Sequence, residues 1–299
     1  MPKQTIPDEH HLYQTYDQQE ESVRVQGHYE QNPQFYYDFT GGEWNVYSGL
    51  IWPNATTTLT EAQGAKLDLL AHEMNLKPGM RIMDVGCGWG GPLVYLCKKY
   101  SVSGVGITVT PSQVTAAQAR AAHHGVDAQF VLSHWENYND EQGFDAIYND
   151  EASVHFRNLG EFFARCWQWL RPGGRVVNKE LHLTHEYFTN FDRAADHVHA
   201  IFGFSGHYHL LAEELQLLND NNLQLVRVQT IDMQPHYYRT LEHWSSNMFN
   251  HHAELSALAS ETVYQDFRKY LKITRRMFAS GIFTLEVLTS QKFEPSKAP

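Results

Sequence analysis

An apolar run ends at Asp84, and four glycines, Gly86, Gly88, Gly90 and Gly91, crowd the seven residues that follow. Glycines packed this closely after a strand let the backbone approach a ligand. A phosphate loop of the GxxxxGK[ST] type is excluded, because Gly91 is followed by Pro92 and Leu93. Residues 86–91, GCGWGG, satisfy the dinucleotide pattern G-x-G-x-x-G in form. Two features argue against a dinucleotide. The Asp84 carboxylate just before the glycines would repel a pyrophosphate. The segment GVGITVTPSQ also lacks the acidic ribose partner usual for NAD, whereas Thr108 and Gln113 can hydrogen-bond hydroxyls.

A carboxylate beside such a loop suits a ligand that carries an ammonium or sulfonium and no phosphate, which points to S-adenosylmethionine. His134 and Trp135 follow the run AQFVL, where an adenine would sit and Trp135 can stack on it. Cys87, inside the glycine loop, and Asn149, at the end of FDAIYN, complete the cofactor set on this side. A tight strand-to-helix turn that binds nothing is the alternative.

Glu151 follows FDAIYN and so sits at a carboxyl strand end, where ligands gather in open α/β sheets. A methyl transfer from a sulfonium to an alkene needs an aligned acceptor about 3 Å from the methyl carbon and leaves a carbocation. Glu151 could take the proton that quenches the cation; a helix-start carboxylate bonded to a backbone amide is its alternative reading. Such a cation also asks for aromatic faces, and the chain is 13% aromatic. Tyr37, Trp52, Phe156, Phe204, Tyr208, Tyr238 and Trp244 are candidate substrate-wall residues, with ordinary core as the alternative for most.

The elements that must position these residues are legible as alternation. The strands RIMDV, GVGIT, AQFVL, FDAIYN and RVVNKE are separated by helices PLVYLCKKY, PSQVTAAQARAAHH and LGEFFARCWQWL. This predicts a parallel sheet covered on both faces. Thr60 and Gln63 in TEAQ read as a capping box opening the helix before the first strand, and RPGG as a turn after Trp169. Strands LQLVRVQTID and GIFTLEVLTS would complete the sheet. The expected organisation is an N-terminal helical arm and lid over 1–57, a core over 58–290 with helical cap insertions at about 184–221 and 234–278, and a tail from 291.

Composition narrows the partners. A net charge of −11 argues against a polyanion groove, so no nucleic acid is expected. Cys87, Cys97 and Cys166 form an odd, widely spaced set, which reads as reduced thiols in a cytoplasmic compartment. No apolar run approaches the length of a membrane helix, so no membrane insertion is expected. The 18 histidines lack HExxH or Cys partners, so no protein-held metal is expected.

MRIMDVGCGWGG, VSGVGITVTPSQ and RPGGRVV together resemble class I methyltransferases, specifically the cyclopropane-fatty-acid-synthase-like branch. YYDFTGGEWNVYSGLIW and HYYRTLEHW extend the resemblance over roughly residues 36–290. It implies a Rossmann-like α/β fold with a seven-stranded, mostly parallel sheet, an antiparallel last strand and a helical cap. It implies Tyr47 and Ser48 as cofactor contacts, and Glu151, Glu180 and Tyr237 as catalytic positions. Lipid-cyclopropanating members hold a bicarbonate base with a Cys where this chain has Gly49 and a His where it has Glu180. IYNDEASVHFRNLGEFF is more similar to bacterial geranyl and farnesyl diphosphate C-methyltransferases, whose Glu at the methyl-transfer site matches Glu151. The resemblance therefore implies a prenyl diphosphate substrate, with Lys179, Arg193 and Arg239 as candidates to hold the diphosphate or else surface charges. Without a DDxxD run, any Mg²⁺ would arrive with the diphosphate. A homo-oligomer is expected. A methyltransferase of the same fold acting on an amine or another small metabolite is the competing reading, and a non-catalytic cofactor-binding module the competitor from another class.

Overall fold

A computed structural model of the chain describes residues 17–30, 32–185 and 208–293. Two helices lead in, α1 (Gln18–Tyr29) and α2 (Pro33–Thr40), followed by α3 (Leu59–Glu73). The core then runs β1 (Arg81–Val85), α4 (Gly91–Tyr100), β2 (Ser103–Thr108), α5 (Pro111–His124), β3 (Ala128–Leu132), β4 (Phe144–Asp150), α6 (Leu159–Trp169) and β5 (Leu170–Leu183). After residue 208 come α7 (Leu211–Asp220), β6 (Leu223–Ile231), a single π-helical turn at Gln234–Tyr238, α8 (Arg239–Asn250), α9 (His252–Ala259), α10 (Glu261–Ala279) and β7 (Phe283–Lys292).

The sheet has seven strands in the order β3-β2-β1-β4-β5-β7-β6. β1 pairs in parallel with β2 and β4, so their carboxyl ends open on the same edge. β7 runs antiparallel to both β5 and β6, as expected for the last strand. Side-chain alternation divides the interior: Ile82 and Tyr148 join the cluster on one face, Met83 and Ile147 the cluster on the other. The first cluster continues into the cap, where Phe35, Phe39, Trp244, Leu255 and Phe267 pack together.

Two sequence expectations are corrected. The capping box of α3 is Thr58 with Glu61, two residues before the predicted pair. Gln63 instead turns inward, accepting from Trp44 N at 3.1 Å and donating to Gly41 O at 2.9 Å. RPGG is not a separate turn: β5 already begins at Leu170 and pairs with Phe144. The register then jumps to Ala146 opposite Arg175, so the extra residues form a bulge that Gly173, at φ +74°, accommodates.

Candidate functional site

A cavity lies along the carboxyl ends of β1, β2 and β4. Gly86, Cys87 and Gly88 form its floor, Thr108 and Gln113 one wall, and His134, Trp135 and Phe156 one end. Tyr47, Ser48, Asp150 and Glu151 border it as well. Of the eleven residues assigned to the cofactor from sequence, ten therefore line this cavity. Gly86 adopts φ +86°, and a Cβ there would lie 2.4 Å from Ala152 Cβ, so the β1 loop can close on β4 only as glycine.

Asn149 is the exception. Its amide oxygen accepts from Ala152 N at 2.9 Å and its Nδ2 donates to Asn178 at 2.6 Å, so it braces the turn after β4 from outside the cavity.

The cavity's polar groups fit S-adenosylmethionine. The hydroxyl of Thr108 and the amide of Gln113 are joined at 2.6 Å, ready to meet ribose hydroxyls. The buried Trp135 Nε1 has no partner among the described residues, and its ring packs 5.7 Å from Phe156. Phe156, expected on a substrate wall, stands with Trp135 at the His134 end of the cavity. Asp84 is buried and accepts from Tyr148 OH at 2.6 Å. Burial pushes its carboxyl up to about 7 against the pull of Tyr148, so it lacks a full counter-charge until a cation arrives.

α1 covers the cavity: Glu21, Ser22, Val25 and Tyr29 all border it. The buried Glu21 pins the helix, meeting His134 Nε2 at 2.8 Å and accepting from Arg157 N at 3.2 Å. His134 Nδ1 accepts from Glu136 N at 3.2 Å, which leaves the proton on Nε2 facing Glu21. Gln26 Nε2 donates to Val109 O at 2.7 Å on the same side. Glu21 and Tyr29 were not singled out from the sequence, where they sit in a polar Gln- and Glu-rich stretch.

At the other end stands Glu151. It holds φ +60°, a left-handed conformation that costs a non-glycine residue about 1–3 kcal/mol and clusters at functional sites. Its N–H is tied to Lys179 O at 2.8 Å. One carboxylate oxygen accepts from Gly49 N at 2.8 Å and from the Lys179 ammonium; the other accepts from the Tyr237 hydroxyl. A Cβ on residue 49 would fall 2.6 Å from the Tyr237 ring and 3.2 Å from the Glu151 carboxylate. The glycine at that position is therefore what allows this carboxylate and Tyr237 to meet.

Tyr237, which is buried, and the partly buried Tyr29, Tyr208 and Tyr270 are electrostatic neighbours of Glu151, and desolvation keeps each of these phenols protonated. Glu180 lies behind this group and does not border the cavity. It accepts from Ser153 Oγ at 2.9 Å, Val154 N at 3.0 Å and Leu181 N at 2.9 Å. Its carboxyl is raised to about 7, first by burial and then by the Glu151 charge.

The remaining substrate assignments divide. Tyr208 stands near Glu151 and Glu180, with its ring 4.6 Å from Phe283. Trp244 is buried one layer behind, between Phe39 at 5.5 Å and Tyr47 at 5.2 Å. Tyr37 and Tyr238 are corrections: Tyr37 packs under Arg120 at 5.5 Å, and Tyr238 donates to Arg275 O at 3.0 Å on an outer groove. Trp52 is a third, stacked on His243 at 4.5 Å and capped by Arg239 at 4.2 Å.

The two described diphosphate candidates are committed elsewhere. Arg239 donates to the carbonyls of Asn54, Ala55 and Thr57 at 2.7–2.9 Å. Lys179 is fully buried between Asp150 and Glu151. Phe204 and Arg193 lie outside the described residues.

The family described as Mycolic acid cyclopropane synthetase matches residues 16–288. Cyclopropane mycolic acid synthase 1 of Mycobacterium tuberculosis is 30% identical, over 90% of this chain and 97% of its own length. A mycolic acid cyclopropane synthase solved in complex with SAH and CTAB superposes with a TM-score of 0.84 at 28% identity, covering 91% of this chain and 98% of that one. Geranyl diphosphate C-methyltransferase from Streptomyces coelicolor A3(2) shares the fold at a TM-score of 0.69 and 16% identity, over 91% and 98% of the two chains.

Proposed function

This chain belongs to the mycolic acid cyclopropane synthetase family, and from that premise we propose that it methylates an alkene carbon of a prenyl diphosphate. The chain is an S-adenosylmethionine-dependent methyltransferase. Bound in the cavity, the cofactor supplies an electrophilic methyl on sulfur and leaves as the thioether.

The chain's own residues supply the rest. Asp84 would hold the positive end of the cofactor, Thr108 and Gln113 would meet its ribose, and Trp135 would pack on its adenine. The acceptor's π electrons form the new carbon–carbon bond, leaving a cation on the neighbouring carbon. When a C–H bond beside that cation breaks, its electrons close a new double bond or ring and the proton passes to Glu151. A carbocation gives up its proton readily, so a carboxylate held by hydrogen bonds is base enough. Four tyrosines that share the electrostatic surroundings of Glu151 stay protonated and so offer no phenolate to trap the cation.

The observation that carries this reading is the Glu151 carboxylate, held at φ +60° on the cavity wall and bonded to the Tyr237 hydroxyl. The test is to incubate the protein with S-adenosylmethionine and geranyl, farnesyl or geranylgeranyl diphosphate, with an unsaturated phospholipid as a further arm. Dephosphorylated products are weighed by mass spectrometry. A gain of one methylene on a prenyl chain supports the reading; a gain only on acyl chains replaces it.

A further inference from the structure

Two fully buried lysines stand behind two carboxylates, Asp150 and Glu151, that border the cavity. Lys66 meets Asp150 and lies 3.2 Å from Ser48 Oγ, while Lys179 meets Asp150 at 3.1 Å and also Glu151. Both lysines are 0% exposed. Ser48 Oγ donates to Asp150 at 2.7 Å, so Asp150 is held from three sides and in turn fixes Lys179. Two ammonium groups thus stand against two carboxylates, and the set is neutral as a whole. Burial holds Lys66 below the usual lysine value, offset only in part by Asp150, whereas on Lys179 the two carboxylates outweigh burial.

Three donors converge where the Glu151 carboxylate sits: the Gly49 N–H, the Tyr237 hydroxyl and the Lys179 ammonium. They come from the segment after α2, the turn before α8, and β5, so the site is built by the fold and not by Glu151 itself. Removing the Glu151 side chain would leave the donors in place and one buried cation without its counter-charge.

We infer that Lys179 is a positioning residue, and that with Gly49 and Tyr237 it forms an oxyanion site of which Glu151 is the resident carboxylate. Its meaning for turnover rests on the proposed deprotonation. The cradle fixes the Glu151 carboxylate at the cavity wall through donors to both of its oxygens.

The test uses Glu151→Gly, since glycine suits the φ of +60° and leaves a hole of carboxylate size. Sodium formate is the probe, with sodium chloride at matched ionic strength as control. The variant is expected to melt below the wild type and to recover, saturably, with formate and not with chloride. Wild type should not respond, and neither should Glu151→Gly combined with Lys179→Met, which removes the surplus cation together with the carboxylate.

On a substrate that the wild type methylates, formate should also restore the rate of Glu151→Gly by about tenfold or more, within the range of a general base. The melting readout needs no substrate, so a failed prenyl diphosphate panel with formate-dependent melting would remove the substrate reading alone. A Glu151→Gly protein indifferent to formate overturns the oxyanion site. So does one that stays insoluble in formate while the charge-balanced double variant purifies.

Discussion

At Asp84 the chemistry and the titration are one question. Its carboxyl is raised to about 7, chiefly by burial. A cationic ligand must find it ionised, so binding should release a proton near neutrality. S-adenosylhomocysteine, which keeps the ammonium, is expected to bind less tightly as pH falls from 8 to 6. Asp84→Asn should bind weakly throughout with a flat profile, and calorimetry in two buffers of different ionisation heat reads both effects. Glu180, behind Glu151, is raised to about 7, first by burial and then by the Glu151 charge. Glu151→Gln is expected to lose about 10²–10⁴ in single-turnover rate with cofactor affinity nearly unchanged. Glu180→Gln at pH 6, where Glu180 is already largely protonated, should keep its rate within several-fold. A wild-type rate for Glu151→Gln would make that carboxylate structural.

Among the elements, α1 has the most to do with access. It carries Glu21, Ser22, Val25 and Tyr29 across the cavity, and its tether is one buried carboxylate. Hydrogen bonds to a charged group contribute about 1.5–3 kcal/mol. Glu21→Gln should therefore weaken S-adenosylhomocysteine by roughly ten- to a hundredfold and expose α1 to protease in the bound state. Equal affinity and equal protection would show that α1 packs there without closing anything. The bulge in β5 serves a different end. It takes up extra residues before Arg175, after which Val176, Val177, Asn178 and Lys179 stay in step with β4 and deliver Lys179 beside Asp150.

Across the whole molecule, the three thiols test how closed the fold is. Cys87, Cys97 and Cys166 are all buried, and burial raises each thiol, Cys97 to about 12. With so little thiolate, none should react with a disulfide reagent at pH 8 on the timescale of a free cysteine, and all three should react in denaturant. A fast stoichiometric thiol in the native protein would mean that the cavity beside Cys87 opens far wider than the structure shows. No described helix is long and apolar enough to cross a membrane.

The sequence by itself determined the sheet's composition and most of the residues that line the cavity around the glycine loop. Strand and helix periods are local, and so are the demands of a glycine loop, which is why Asp84, Gly86, Gly88, Thr108, Gln113 and Trp135 could be named before any coordinates. The insertion of β7 between β5 and β6 was not legible, since only long-range pairing sets strand order. Nor were Lys66, Asp150 and Glu21. A charged residue looks the same in a sequence whether it is solvated or buried against a partner 84 or 113 positions away. Lys179 shows the consequence. Read alone it was a cation for a substrate's diphosphate, and only the packing of β4 beside β5 gave it Asp150 and Glu151. Charge is a property of the residue, but the counter-charge is chosen by the tertiary fold, because a buried ammonium is tolerated only where carboxylates are brought to it.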